Sequence, residues 1–128
     1  MRLLLDTHAL LWWGHQDRRL GARAIAEIGR DSNDVFVSAV SAFEIATKFR
    51  IGKLPEAYRL AHDFEREVQQ EGFELLSMTA MHARVAGGMS FAHRDPFDRI
   101  LIAQAQMENM ALVSNEAVFD AYGVQRLW

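Results

Sequence analysis

The chain has no cysteine, only two prolines and no long apolar run among its 128 residues. The absence of cysteine excludes disulfides and thiolate metal sites. No apolar stretch approaches the ~18 residues needed to cross a bilayer, and Asp6 interrupts the short apolar run at the start, after which no cleavage site for a signal peptide follows. We therefore expect a cytoplasmic protein without a membrane partner, folded as a single domain over residues 1–128.

An excess of positive charge is also missing, because the formal net charge is −3. A basic protein would be a stronger indication of nucleic-acid binding. Positive side chains do cluster locally, within residues 48–53 and at His93, Arg94 and Arg99. Such a patch can bind phosphates even when the total charge is negative, whereas the usual role of a run of charges is a solvated face. For residues 48–53 both interpretations stay open.

Short apolar runs alternate with longer helical patterns along the chain. Strands are predicted at 2–5, 35–38, 73–77, 111–114 and, at an edge, 124–127. Helices are predicted at 7–14, 21–29, 42–51, 56–70, 79–87 and 96–109, with a helical turn at 116–121. Strands separated by helices imply a parallel sheet with helices on both faces. The sequence thus predicts an α/β fold, a three-layer αβα domain with a mostly parallel sheet.

Four acidic residues lie where a predicted strand passes into a helix or where a helix begins: Asp6, Glu44, Asp98 and Glu116. In an open α/β sheet, ligands bind beyond the carboxyl ends of the strands. Clustered carboxylates repel one another unless cations or protons compensate them, and hard divalent ions such as Mg²⁺ take oxygen ligands. Metal-dependent phosphate chemistry is therefore the first hypothesis.

Each acid also has a purely structural interpretation as a helix cap. Asp6 directly precedes a predicted helix, and Ser41 with Glu44 matches a capping box. Asp95, followed by proline, is typical of a helix start, and Glu116 is placed to favour a helix N-terminus through the dipole. Capping explains the acids singly, but it does not explain why few basic groups accompany Asp6 and Glu44.

Four segments of the chain, in order, resemble the motifs of PIN-domain ribonucleases. These segments are LLDTHALLW at 4–12, SAVSAFEI at 38–45, HRDPFDRILIA at 93–103, and LVSNE at 112–116 with FDAYGV at 119–124. Together they span nearly the whole chain, which makes the combination specific. The length and the HRDPFDR run resemble the VapC-type toxins of bacterial type II toxin–antitoxin pairs, so the resemblance implies a PIN-like fold.

The resemblance also implies roles for the acids. Asp6 and Asp98 would be the main ligands of Mg²⁺ or Mn²⁺, and Glu44 would bind the ion directly or through water. Glu116 stands where the family usually has aspartate and reaches one methylene further, which leaves its direct ligation open. Asp95 is either a fifth acid or only the cap, and the cap is favoured.

Several neighbouring residues are secondary candidates. The resemblance makes Thr7 and Ser114 polar neighbours of the metal or phosphate. Arg99 belongs to the local positive cluster, and His93 is a weaker candidate for a phosphate contact. The five histidines do not have the spacing of a zinc site.

The function that the resemblance implies is metal-dependent endonucleolytic hydrolysis of RNA phosphodiester bonds, leaving a 5′ phosphate. The expected partners are an RNA substrate, a cognate antitoxin that covers or enters the acidic site, and a second copy in a homodimer. The alternative is a catalytically weak PIN-fold module that recognises RNA or protein, in which Glu116 reflects lost chemistry. Trp12 and Trp13, adjacent on a helix, cannot share one face, and they either pack internally or form a groove for an antitoxin segment or a dimer surface.

Overall fold

The computed structural model describes residues 1–90 and 95–128. In these ranges the chain forms strands β1 (Arg2–Leu5), β2 (Asp34–Ser38), β3 (Glu74–Leu76), β4 (Ala111–Val113) and β5 (Arg126–Leu127). They build one sheet in the order β3-β2-β1-β4-β5, in which every neighbouring pair is parallel. The predicted α/β fold is confirmed, and the sheet is parallel throughout.

Helices separate the strands, as the periodicity predicts. Within the described ranges they are α1 (Thr7–Gly14), α2 (Ala22–Ile28), α3 (Ala39–Arg50), α4 (Tyr58–Gln70), α5 (Ala80–Gly88) and α6 (Pro96–Met107), with 3₁₀ segments at Pro55–Ala57 and Ala117–Tyr122. In the part of the chain that is described, no helix combines the length and the apolarity needed to span a membrane.

The central strand β1 is buried on both faces. Leu3 and Leu5 belong to one apolar cluster and Leu4 to a second, and all three side chains are fully buried. Side chains of a strand alternate between the faces of its sheet, so the two clusters lie on opposite sides. The continuous apolar run at the start of the chain is thus the pattern of a strand covered by helices on both faces.

Helix α3 begins earlier than the sequence predicts. The backbone of Ser38 is extended, and its hydroxyl accepts a hydrogen bond from the Val40 amide at 3.1 Å, so Ser38 is the N-cap and the helix begins at Ala39. The predicted capping box of Ser41 and Glu44 is therefore wrong. Both residues lie inside the helix, where the side chain of Glu44 is available for contacts with other elements.

A buried histidine connects the start of α5 to the end of α6. His82 is only 1% exposed, and its Nδ1 accepts the Thr79 amide at 3.1 Å. Since Nδ1 is an acceptor, the neutral ring carries its proton on Nε2, which lies 2.9 Å from Glu108 Oε1 and donates to it. Both ring nitrogens are therefore used in fixing local structure.

We predict that replacing His82 by leucine lowers the free energy of unfolding by about 1–3 kcal/mol, because the Thr79 amide loses its acceptor. Urea denaturation measures the change. His15→Leu is the matched control at an exposed position and should change stability by less than about 0.5 kcal/mol. Equal stabilities of wild type and the His82 variant would contradict the prediction.

Candidate functional site

A small cleft lies at the carboxyl edge of the sheet. Strands β2, β1 and β4 are neighbours and point the same way, so the segments that follow them meet at this edge. The α6 N-terminus joins them there. The cleft has a volume of about 50 Å³ and is lined by Asp6, Thr7, His8, Glu44, Lys48, Asp95, Asp98, Leu101 and Glu116. The structure thus brings together all the acidic residues that the sequence singled out.

Asp6 combines the two roles that the sequence left as alternatives. It is the N-cap of α1, where its Oδ1 accepts the Ala9 amide at 2.8 Å, and its side chain is nevertheless buried in the cleft wall. Burial raises the pKa of Asp6 to about 6; hydrogen bonds from Ser114 and Ala9 oppose the rise, and the charges of Glu116 and Glu44 add to it. Capping and a place in the site are therefore compatible.

Both carboxylate oxygens of Glu44 have partners. The Thr7 hydroxyl lies 2.6 Å from Oε1, and the Lys48 ammonium lies 2.5 Å from Oε2. The Thr7 oxygen is also 3.1 Å from the Ser41 hydroxyl. Since Thr7 has one proton, which the carboxylate takes, Ser41 is the donor in the second bond. Thr7 therefore orients Glu44, a carboxylate that is only 7% exposed.

The start of α6 contributes two further acids. Asp95 Oδ1 accepts the amides of Phe97 at 2.9 Å and Asp98 at 3.2 Å, so the predicted cap is present. Asp95 also lines the cleft, together with Asp98 from the first helical turn. One turn further, the buried Leu101 fixes α6 against the core. His93, the candidate for a phosphate contact, lies outside the described residues, as does Arg94.

Ser114 connects Asp6 with Glu116. Its side chain is fully buried, and its oxygen accepts the Glu116 amide at 3.0 Å. The hydroxyl proton is thereby left for Asp6, with which Ser114 forms a side-chain hydrogen bond. Among the described residues, Glu116 makes no side-chain capping bond to the 3₁₀ segment that follows it. Its carboxylate is instead part of the cleft lining.

Lys48, the first residue of the positive cluster at 48–53, also lines the cleft, a position that the sequence analysis does not predict. Burial alone would lower the pKa of its ammonium, but the hydrogen bond to Glu44 and the charges of Glu44, Asp95 and Asp98 raise it overall. Few basic groups are expected beside Asp6 and Glu44, and Lys48 is one that pairs directly with Glu44. The i,i+4 spacing of Glu44 and Lys48 on a helix is the sequence signal that could have revealed this pair.

Arg99 is not among the described residues that line the cleft. Its guanidinium donates to the carbonyls of Ala86 at 3.0 Å and Met89 at 2.7 Å, near the C-terminus of α5. Cationic side chains at that position satisfy the last carbonyls of a helix. These contacts place Arg99 in the packing of α5 against α6, where it supports the helix that presents Asp98.

The donor set of the cleft suits an oxygen-preferring cation. Five of its described lining residues are carboxylates and one is a lysine, and a cation would relieve the repulsion that helps to raise the pKa of Asp6. Within residues 1–90 and 95–128, no three acidic or histidine side chains already surround a common metal position. The carboxylates thus suit such an ion in chemistry and in charge, but the described side chains are not arranged around a common position. Glu44 is instead engaged by Lys48 and Thr7.

The tryptophans pack on different sides of α1, as expected for adjacent helical positions. Trp12 is buried and makes an edge contact with Trp128, their ring centroids 5.7 Å apart. Trp13 packs near Phe73, and its indole nitrogen donates to Glu71 at 2.9 Å. An open groove of about 490 Å³ lies beside both rings.

Comparison with known families gives a match over nearly the whole chain. The family model of the PIN domain matches residues 3–125. No match is found among curated proteins.

Solved structures share the fold at low sequence identity. A DNA-bound VapBC structure from Salmonella typhimurium aligns with a TM-score of 0.66 at 14% identity, covering 99% of this chain and 97% of that chain. VapBC2 from Rickettsia felis, bound to a fragment of promoter DNA, gives 0.63 at 14% identity, with 99% and 98% covered. VapC20 from Mycobacterium tuberculosis, a toxin that cleaves the sarcin–ricin loop, gives 0.63 at 13% identity, with 95% of each chain covered. Likeness at this identity establishes the fold.

The raised pKa of Asp6 predicts a specific dependence of stability on pH. Between the ordinary aspartate pKa of 3.8 and the raised pKa of about 6, the native chain keeps a proton that the unfolded chain has lost, so the free energy of unfolding falls as pH rises through this window. Asp6→Asn removes this contribution. Relative to wild type, the variant should therefore gain about 2–3 kcal/mol between about pH 4 and about pH 8, measured by urea denaturation in EDTA.

Asp31→Asn, at an exposed position in the turn before β2, is the control and should follow the wild-type curve. If Asp6→Asn and wild type kept a constant difference across this range of pH, the raised pKa would be refuted.

Proposed function

The chain belongs to the PIN-domain family, and on that premise we propose that it is a metal-dependent endoribonuclease, the toxin of a toxin–antitoxin pair. The observation that carries the proposal is the convergence of five carboxylates, from the ends of β1 and β4 and from α3 and α6, in one cleft. If these acids served only as helix caps, nothing would require them to lie close together, because repulsion between carboxylates lowers the stability of the fold.

The chain's own residues set up the chemistry. Asp6 and Asp98 would hold a Mg²⁺ or Mn²⁺ ion, and Glu44 would reach it directly or through water. When bound, the ion supplies a water of lowered pKa as the nucleophile and stabilises charge on the phosphoryl oxygens. Thr7 orients Glu44, and Ser114 orients Asp6, as the partners of metal ligands commonly do.

RNA is the proposed substrate. The four acidic motifs resemble those of PIN-domain ribonucleases, and the structural neighbour VapC20 is a sarcin–ricin-loop cleaving toxin. An RNA substrate also agrees with the cytoplasmic location expected from the sequence.

A cognate antitoxin and a second copy of this chain are the proposed protein partners. Neighbours from Salmonella typhimurium and Rickettsia felis are VapBC structures, and one from Klebsiella pneumoniae is a toxin–antitoxin complex. A cleft lined by carboxylates offers strong charge-assisted hydrogen bonds to an arginine or lysine of an antitoxin. Such a side chain would inhibit by occupying the acids.

A second candidate is a PIN-fold module that binds RNA or protein with little catalysis. It is favoured by two observations: Glu44 is engaged by Lys48, and the described side chains do not surround a metal position. Incubation of the purified protein with structured RNAs, with and without EDTA, separates the two functions. Binding without EDTA-sensitive cleavage would favour the module.

We predict that Asp6→Asn and Asp98→Asn each lower the rate of Mg²⁺- or Mn²⁺-dependent RNA cleavage by at least about 100-fold. Loss of a residue that merely supports a metal ligand costs about 10–100-fold, so loss of a ligand should cost at least as much. Cleavage is followed on gels with a labelled RNA, and circular dichroism checks the fold.

The exposed Asp31→Asn variant makes the same chemical change away from the cleft and should retain wild-type activity. Unchanged cleavage by either cleft variant would refute the roles assigned to these aspartates.

A further inference from the structure

Lys48 lies among the acids of the cleft. Its Nζ is 2.5 Å from Glu44 Oε2, and its charge is further stabilised by Asp95 and Asp98 of α6. About one third of its side chain is exposed. The ammonium therefore provides positive charge in the place where a divalent cation would bind.

The pairing of Lys48 with Glu44 is built into α3. The two residues are one helical turn apart, with the glutamate before the lysine, which is the order that gives the more favourable ion pair on a helix. Thr7 holds the other oxygen of the same carboxylate, so Glu44 is fixed from two sides. Glu44 itself is nearly buried, and a buried carboxylate left without a cation is strongly disfavoured.

Other lysines and arginines of the same segment lack this position. Arg50 and Lys53 are exposed, and neither lines the cleft as it is described. The backbone carbonyl of Lys48 accepts the amides of Lys53 at 2.8 Å and Leu54 at 3.3 Å, which fixes the end of α3. These bonds do not involve the side chain, so a substitution at Lys48 removes the ammonium and leaves them in place.

We propose that Lys48 is a built-in counter-ion that neutralises Glu44 in the metal-free protein and competes with the divalent cation for its carboxylate. This inference rests on the proposed metal-dependent function. A cation that recruits Glu44 must draw its carboxylate away from the ammonium, so the free energy of the ion pair is subtracted from the affinity for the metal. Lys48 is thus a positioning residue, which orients the carboxylate of Glu44 and stabilises the fold when no metal ion is bound.

Lys48→Met tests the competition because it removes the charge but keeps an unbranched side chain. The variant should bind Mn²⁺ about tenfold more tightly than wild type, because the ion no longer has to break the hydrogen bond between Lys48 and Glu44. The free energy of a hydrogen bond to a charged group corresponds to about this change in affinity. Isothermal titration calorimetry with MnCl₂ gives the affinity. In EDTA, the variant should melt several degrees lower than wild type, roughly 5 °C, and saturating Mn²⁺ should remove most of this difference.

Two further variants show whether the charge at this position is responsible. Lys48→Arg keeps a cation beside Glu44 and should restore wild-type Mn²⁺ affinity. Lys53→Met removes an exposed lysine five residues further along and should leave both the affinity and the melting temperature unchanged. If Lys48→Met does not fold in EDTA, Lys48→Gln, which retains a polar end for Glu44, is titrated instead.

The outcomes distinguish this inference from the function on which it rests. Equal or weaker Mn²⁺ binding by Lys48→Met, with wild type binding the ion, would overturn the counter-ion role and leave the proposed nuclease intact. If wild type bound no Mn²⁺ at all, the metal-dependent function would fall and the competition with it. An equal gain of affinity in Lys53→Met would also overturn the inference, because a general change in charge would then explain it.

Discussion

The repulsion between carboxylates at the carboxyl edge of the sheet is the constraint on which the site depends. In a parallel sheet with β1 at its centre, the ends of β2, β1 and β4 lie side by side, so acids that follow these strands lie close together. Burial makes the repulsion worse, because the surrounding apolar clusters lower the local dielectric. The pKa of Asp6 is raised mainly by burial, and the charges of Glu116 and Glu44 add to the rise.

Part of this repulsion is offset because some of the acids also cap helices. Asp6 accepts an amide at the start of α1, and Asp95 accepts two at the start of α6. Amides at a helix N-terminus stabilise negative charge, and the geometry of the cap fixes the carboxylate in one orientation. The same bonds that make a helix begin at the sheet edge therefore hold the donor atoms of the cleft. The same arrangement would serve both helix capping and the proposed cation binding.

Sequence patterns predicted the sheet well because its strands have strong local signals. Leu3 to Leu5 form an apolar run covered on both faces, and the acids at the strand ends follow from that register. The start of α3 was missed because β2 passes into the helix without a loop, so Ser38 is both the last residue of the strand and the cap. Periodicity also could not tell that Lys48 faces the cleft, whereas Arg99 binds carbonyls near the end of α5, since both depend on how helices pack together.

An excess of buried negative charge can be compensated from three sources, and these sources compete wherever they need the same carboxylate. Lys48 supplies a cation from within the chain, a divalent ion would supply one from solution, and an antitoxin arginine or lysine would supply one from a partner. At a shared carboxylate such as that of Glu44, the occupant with the largest gain in free energy displaces the others. Lys48 belongs to the chain, so its binding to Glu44 costs no translational entropy. Its single charge compensates the charge of Glu44 better than it compensates those of the acids of α1 and α6 together. A divalent ion can join acids from several elements, and a partner's cation can block it without changing the fold. On this argument, the proposed activity at the cleft and its proposed inhibition would be alternative solutions to one electrostatic problem that the parallel sheet creates.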